Sequence, residues 1–288
     1  MSVFRLRPAR SVAPHWRRRA ALARRGVLGV AVAGVAWQAP VPTAADSTAR
    51  PAPAAPSPVV DAQGRAVVPW GVGERLNYDV KFGVLRVGSG SMTVEGTDAI
   101  RGREAYHTVF RVRGGTIFYR VDDRFESWFA TRDLASLRFV QDQQEGRKER
   151  QRTYEIFPER GVYREGDNEE RPSVAEPLDD GSFIYYVRTL PLRPGDVYEV
   201  NRYFRPDRNP VRIRVLRRER IRVPAGTFDA VVVQPSIKTR GIFAEGGNAE
   251  IWFSDDADRV MLQLKSQLSF GSLNLYLKSK QVGQKLGS

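Results

Sequence analysis

The chain has 288 residues, no cysteine, two histidines and a formal charge of +13. Without cysteine it cannot form a disulfide, a thiolate metal site, a thiol nucleophile or a lipidated cysteine. Eight of its 46 basic residues precede position 26 and no acid precedes Asp46, so the remainder carries 38 basic and 33 acidic groups, or +5. That excess is small and dispersed over strand-like segments, which argues against nucleic acid as a partner.

The first 45 residues read as an export signal. Arg5, Arg7, Arg10, Arg17, Arg18, Arg19, Arg24 and Arg25 precede the apolar run Gly26–Trp37, and the small residues Thr43-Ala44-Ala45 follow. The run is shorter than the ~20 apolar residues a bilayer span needs. The mature chain is therefore expected to lie in the periplasm with no transmembrane span. Arg24-Arg25-Gly26-Val27-Leu28 also fits a twin-arginine core, although an ordinary general-secretion signal is the simpler expectation.

Residues 46–69 contain Pro51, Pro53, Pro56, Pro58 and Pro69 among alanines and read as an extended tether. One domain is expected over 70–283, with a short tail at 284–288. Its dominant period is two, the mark of half-buried strands. Leu76, Tyr78, Val80 and Phe82 alternate with Arg75, Asn77, Asp79 and Lys81; Tyr106, Thr108, Phe110 and Val112 repeat the pattern, as do Val211, Ile213 and Val215. About a dozen such segments are separated by turn signals such as Gly114-Gly115, Pro158-Glu159-Arg160-Gly161 and Pro224-Ala225-Gly226. Spacing this close leaves no room for crossover helices, so the strands should form an antiparallel meander.

One segment breaks the period. In Asp180–Leu190, Phe183, Tyr186, Val187 and Leu190 fall at helical spacing, Asp179 or Asp180 can cap the start, and Pro191 ends it. A lone helix among strands plugs one end of a curved sheet or lies in its concavity. The expected fold is all-β: a strongly curved antiparallel meander, an open or partly closed barrel, with one short packed helix.

The chemistry-bearing residues are sparse. With His15 in the signal, His107 is the only histidine of the mature chain, and it sits on a strand opposite the Tyr106/Phe110 face. No histidine cluster, HExxH site or Gly-x-Ser-x-Gly elbow accompanies it. The acidic run Ser254-Asp255-Asp256-Ala257-Asp258 offers oxygen ligands, but it lacks the glycine and spaced glutamate of an EF-hand and reads as a turn bonded to its own backbone. Trp252 and Phe253 must point to opposite faces of a strand. One of them meets a cavity or a partner unless the sheet is covered on both sides there.

Several segments together carry a resemblance: Gly73-Glu74-Arg75-Leu76-Asn77-Tyr78-Asp79-Val80, the helix Ser182–Arg188, Val223-Pro224-Ala225-Gly226-Thr227-Phe228, Glu250-Ile251-Trp252-Phe253-Ser254-Asp255-Asp256 and Phe270-Gly271-Ser272. In this order they resemble the exported bacterial domain-of-unknown-function family numbered 3108, over about Trp70 to Val282. The resemblance implies a location in a Gram-negative-type envelope and a mostly β fold. It implies no catalytic residue. A curved meander with one helix is also similar, at the level of fold alone, to lipoprotein carriers whose half-barrel holds acyl chains.

The expectation is a non-catalytic binder of a lipid, a glycan or an envelope protein, with no cofactor and no metal. Tyr186, Trp252, Asp255 and Asp256 are its candidate contacts. The alternatives are a hydrolase of envelope polymers using two carboxylates about 5 to 10 Å apart across a cleft, and a docking module using a sheet edge or the Trp252 region.

Overall fold

The computed structural model describes residues 56–115, 120–237, 249–268 and 271–287. The export signal expected at 1–45, the start of the tether and residues 238–248 lie outside the described residues. Among the described residues fourteen strands build one antiparallel sheet. The first eight are β1 (Arg75–Phe82), β2 (Leu85–Ile100), β3 (Arg103–Gly115), β4 (Arg120–Ala130), β5 (Ser136–Glu145), β6 (Lys148–Phe157), β7 (Val162–Glu165) and β8 (Arg171–Pro172). The helix α1 (Asp180–Thr189) follows, and then β9 (Val197–Val200), β10 (Val211–Val223), β11 (Gly226–Ser236), β12 (Glu250–Ser254), β13 (Met261–Leu268) and β14 (Gly271–Gln281).

From β1 the meander runs in chain order to β8 at one edge. After α1 it resumes at the opposite edge with β9 and returns to β14, which pairs with β1 from Arg75↔Gln281 to Phe82↔Leu273. First and last strands are thus neighbours, and the sheet is open between β8 and β9. Irregular chain draws that opening together. Leu178 and Tyr203 form a parallel bridge, the Phe204 amide donates to the Leu178 carbonyl at 2.9 Å, and Ser173 Oγ donates to the Phe204 carbonyl at 2.8 Å.

The period of two sorts the side chains. Leu76, Tyr78 and Val80 of β1 are buried, whereas Asn77 and Asp79 are only partly covered. Coiling of the sheet depends on a glycine pair: Gly88 lies opposite Gly114, and a Cβ on Gly88 would fall 2.0 Å from the Arg113 carbonyl oxygen. No side chain fits so close an approach of two strands.

α1 fills the concavity, with every residue from Ser182 to Arg188 buried. Asp179 caps it, accepting from the Gly181 and Ser182 amides at 2.8 and 2.9 Å, while Ser182 Oγ accepts from the Asp179 amide at 2.9 Å. Aromatic rings occupy the space around it. Trp70 meets Tyr106 and Tyr185 at 5.9 and 5.0 Å between centroids, and Tyr185 meets Phe129 at 5.6 Å. A second row runs Phe125, Phe139, Tyr154, Phe204, with Phe204 spanning the β8–β9 opening from inside.

Two segments show more cover than their composition suggests. The tether expected through Pro69 carries structure from Val59: Val67 donates to Val59, Ala66 donates to the Thr131 carbonyl at 2.8 Å and is buried, and Asp61 accepts from Arg65. An apolar side chain placed beside the open end of the core is buried whatever the surrounding composition. Trp252 and Phe253 are both buried, at 3% and 0% exposure. The sheet is covered on both faces there, by core on one side and by long charged side chains on the other.

Candidate functional site

The sequence-derived candidates lie apart. Tyr186 is buried on α1, where its hydroxyl donates to the Pro56 carbonyl at 3.4 Å and Arg202 lies 4.8 Å over its ring. Trp252 faces outward under Glu219, which accepts from its indole at 2.5 Å, with Arg217 and Lys265 over the ring at 5.9 and 5.1 Å. Arg217 and then Trp252 hold the Glu219 carboxyl below its ordinary range.

Asp255 is paired with Arg218 at 2.6 Å and Arg259 at 3.0 Å. Asp256 Oδ1 accepts from Ser254 Oγ and from the Asp258 and Arg259 amides at 2.6, 3.1 and 3.1 Å. The acidic run is therefore a turn closed on itself, and among the described residues no group of three metal-ligating side chains forms. His107 lies on the outer face, stacked on Trp128 at 4.2 Å and bonded to Glu126 at 2.9 Å.

Two constellations escaped sequence reasoning because their members are distant in the chain. The first is interior. Glu74, at the entry to β1, accepts from both terminal nitrogens of Arg188 at 2.7 and 2.8 Å, and the Asp258 carbonyl accepts a further bond at 2.9 Å. The guanidinium also sits over the Trp70 and Tyr185 rings at 5.4 and 5.5 Å. Nearby, Ser127 donates to the buried Asp179 at 2.6 Å, and Tyr203 donates to Asp180 at 2.9 Å. Burial pushes the Asp179 carboxyl up to about 6, against the lowering effect of its hydrogen bonds from Ser127 and the Ser182 amide. These groups cap and anchor the helix.

The second constellation is a trough of about 350 Å³ on the outer face, across β14, β1, β2 and β3. Its origin is local. The outward positions of β2 are the small Ser89 and Ser91, and longer side chains flank them on both sides. Asn77 and Arg111 flank Ser91; Asp79 and Arg113 flank Ser89. Lys278 and Ser279 extend the β14 wall, where Asn77 donates to Ser279 Oγ at 3.0 Å. Asp122 accepts from Arg111 Nε and Nη2, both at 2.9 Å, and from Arg113 at 3.4 Å. Those Arg111 bonds hold the Asp122 carboxyl below its usual range. Arg86 pairs with Asp79 at 3.0 Å. The lining presents hydroxyls, an amide and more guanidinium and ammonium than carboxylate, which suits an anionic, hydroxyl-bearing group.

Comparison with solved structures places the fold. A β-barrel-like protein of the domain-of-unknown-function family DUF1849 from Brucella abortus aligns over 76% of this chain and 100% of its own, at 12% identity and a TM-score of 0.53. A protein from Parabacteroides distasonis aligns over 74% of this chain and 98% of its own at 10% identity, but its TM-score of 0.32 carries no argument. No curated protein matches the chain in sequence. Among the described residues no helix is long and apolar enough to cross a membrane. The family model described as "Protein of unknown function (DUF3108)" matches residues 77–278, the span that holds both constellations apart from Trp70, Glu74 and Ser279, and the chain belongs to that family.

Proposed function

We propose that the protein acts outside the cytoplasm by binding rather than catalysis, and that it takes an anionic, hydroxyl-rich carbohydrate group in the outer trough. The observation that carries this reading is the contrast between a concavity occupied by α1 and its aromatic neighbours and an open trough of about 350 Å³ lined by Ser89, Ser91, Arg111 and Arg113. An acyl chain held in the concavity would have to displace a helix anchored by a buried ion pair. The interior carboxylates are engaged as a cap and a counter-ion, which supports binding over hydrolysis. The same carbohydrate chemistry is offered by a free glycan and by a glycan-bearing lipid headgroup.

Calorimetric titration with an acidic oligosaccharide, its neutral counterpart and the same sugar on a lipid tests the reading. The acidic ligand should bind, the neutral one at least about tenfold more weakly, and Arg111→Ala with Arg113→Ala should remove the difference. Equal binding of acidic and neutral sugars, or unchanged binding by the double variant, would refute the trough as the site. Equal affinity for the free and lipid-borne sugar identifies the glycan as the recognised part.

A further inference from the structure

The turn between β1 and β2 is built against solubility. Gly83, at φ 58°, fits the first central position of a two-residue hairpin loop. The next residues are Val84 and Leu85, exposed to 90% and 67%, and Phe82 across the hairpin is exposed to 39%. A turn of this kind needs only glycine and a small polar residue, so Val84 and Leu85 contribute nothing to the hairpin that serine would not. Among the described residues the β2–β3 register begins at Gly88↔Gly114.

Behind the apolar tip stand two cations directly opposite each other, Lys81 and Arg86. Like charges so placed oppose pairing of the strands. Arg86 is 56% exposed and has one carboxylate, Asp79, at 3.0 Å; Lys81 lies over the Tyr276 ring at 5.1 Å. The order along the hairpin is thus apolar tip, then a cationic collar.

We propose that the β1–β2 hairpin tip inserts into the interface of an anionic bilayer, with Val84 and Leu85 at the headgroup–acyl boundary and Lys81 and Arg86 against the phosphates. Two features choose a bilayer over a protein. Three side chains fall far short of the ~800 Å² per partner that a stable protein interface buries. The collar complements an anionic lipid surface, where apolar insertion and electrostatic attraction act together. In sequence, the stretches joining Gly115 to Arg120 and Leu268 to Gly271 contain Ile117, Phe118 and Phe270. They lie outside the described residues and form no part of the site. The inference rests on the tip and its collar; Arg86 also lines the trough, whereas Val84 and Leu85 do not, and the test therefore reads the tip.

The absence of native cysteine makes the test direct. In the full chain, Val84→Cys takes one environment-sensitive fluorophore, and Glu159→Cys, in the exposed turn between β6 and β7 at the other end of the strands, takes the same label as a control. Vesicles of phosphatidylcholine with or without phosphatidylglycerol are added, some carrying a nitroxide lipid.

The tip label should shift to the blue and be quenched on phosphatidylglycerol vesicles, and the Glu159→Cys label should not. Adding Leu85→Asp, with an unchanged circular dichroism spectrum, should weaken that response about tenfold. A tip label that stays in water, equal quenching at both positions, or indifference to Leu85→Asp would each overturn the proposal. Carbohydrate binding by a protein whose tip ignores vesicles would overturn the insertion while leaving the trough intact.

Discussion

Arg188 and Arg111 are each gripped through two nitrogens by a carboxylate, Arg188 by Glu74 at 2.7 and 2.8 Å and Arg111 by Asp122 at 2.9 Å twice. The first pair is buried in the concavity and the second lies on the half-exposed outer face. Geometry alone would rank them equal. Solvent does not: an interior charge that loses its partner is left in a medium unable to solvate it, whereas a surface charge falls back on water. The inner pair locks α1 to the start of β1. The outer pair sets the direction of a guanidinium on the trough wall.

Arg188→Ala should sharpen this contrast most. It strands Glu74 in the interior and should cost about 3–5 kcal/mol, read as a fall in the urea midpoint. Replacing both partners with apolar residues, Arg188→Met with Glu74→Leu, should recover most of that loss. A single variant within about 1 kcal/mol of the parent would mean that water reaches the pair, and the comparison would collapse.

Asp179 gives an intermediate effect that depends on pH. Its folded pKa of about 6 lies above the ordinary 3.8, so the folded protein binds the proton more tightly than the unfolded chain. The resulting stabilisation, about 3 kcal/mol, is fully present below pH ~4 and is lost as the pH rises through ~6. Asp179→Asn keeps an acceptor for the Gly181 and Ser182 amides and supplies a donor to Ser127. It should flatten the pH profile between 4 and 6 in urea melts, leaving the part contributed by Asp180, whose pKa is also raised by burial. A slope unchanged in Asp179→Asn would assign the titration elsewhere.

The smallest change belongs to the surface. Arg111→Ala should lower stability by less than about 1 kcal/mol at low salt and by still less at high salt. A larger loss would show the outer ladder to be part of what holds the sheet together.

Alternation, turn residues and the single break in period made the strands, the meander and α1 readable from the chain, including Asp179 as its cap and Pro191 beyond its end. Each of these depends on residues within a few positions of one another. The β1–β14 pairing, the Glu74–Arg188 contact and the trough join residues from distant segments, and no local pattern announces them. Trp252 was noticeable because two large aromatics in a row cannot share one face. What covers it, Glu219 with Arg217 and Lys265, comes from neighbouring strands. Ser89 and Ser91 looked like ordinary outward positions; their smallness matters only once arginines and asparagine are seen on both sides.

Pairing of β1 with β14 also sets a clock. Among the described residues every other strand pairing joins consecutive strands across a turn or a short connection, able to form as soon as both exist, apart from the longer link between β11 and β12. One edge of β1 waits for Arg75 to meet Gln281, and a closure that spans so much chain is slow because its entropy is lost before any contact repays it. Until residues 271–281 arrive, the leading strand offers its free amides and carbonyls to whatever passes. A chain whose residues 271–281 are not yet in place is therefore most adhesive along β1, and pairing with β14 ends that exposure.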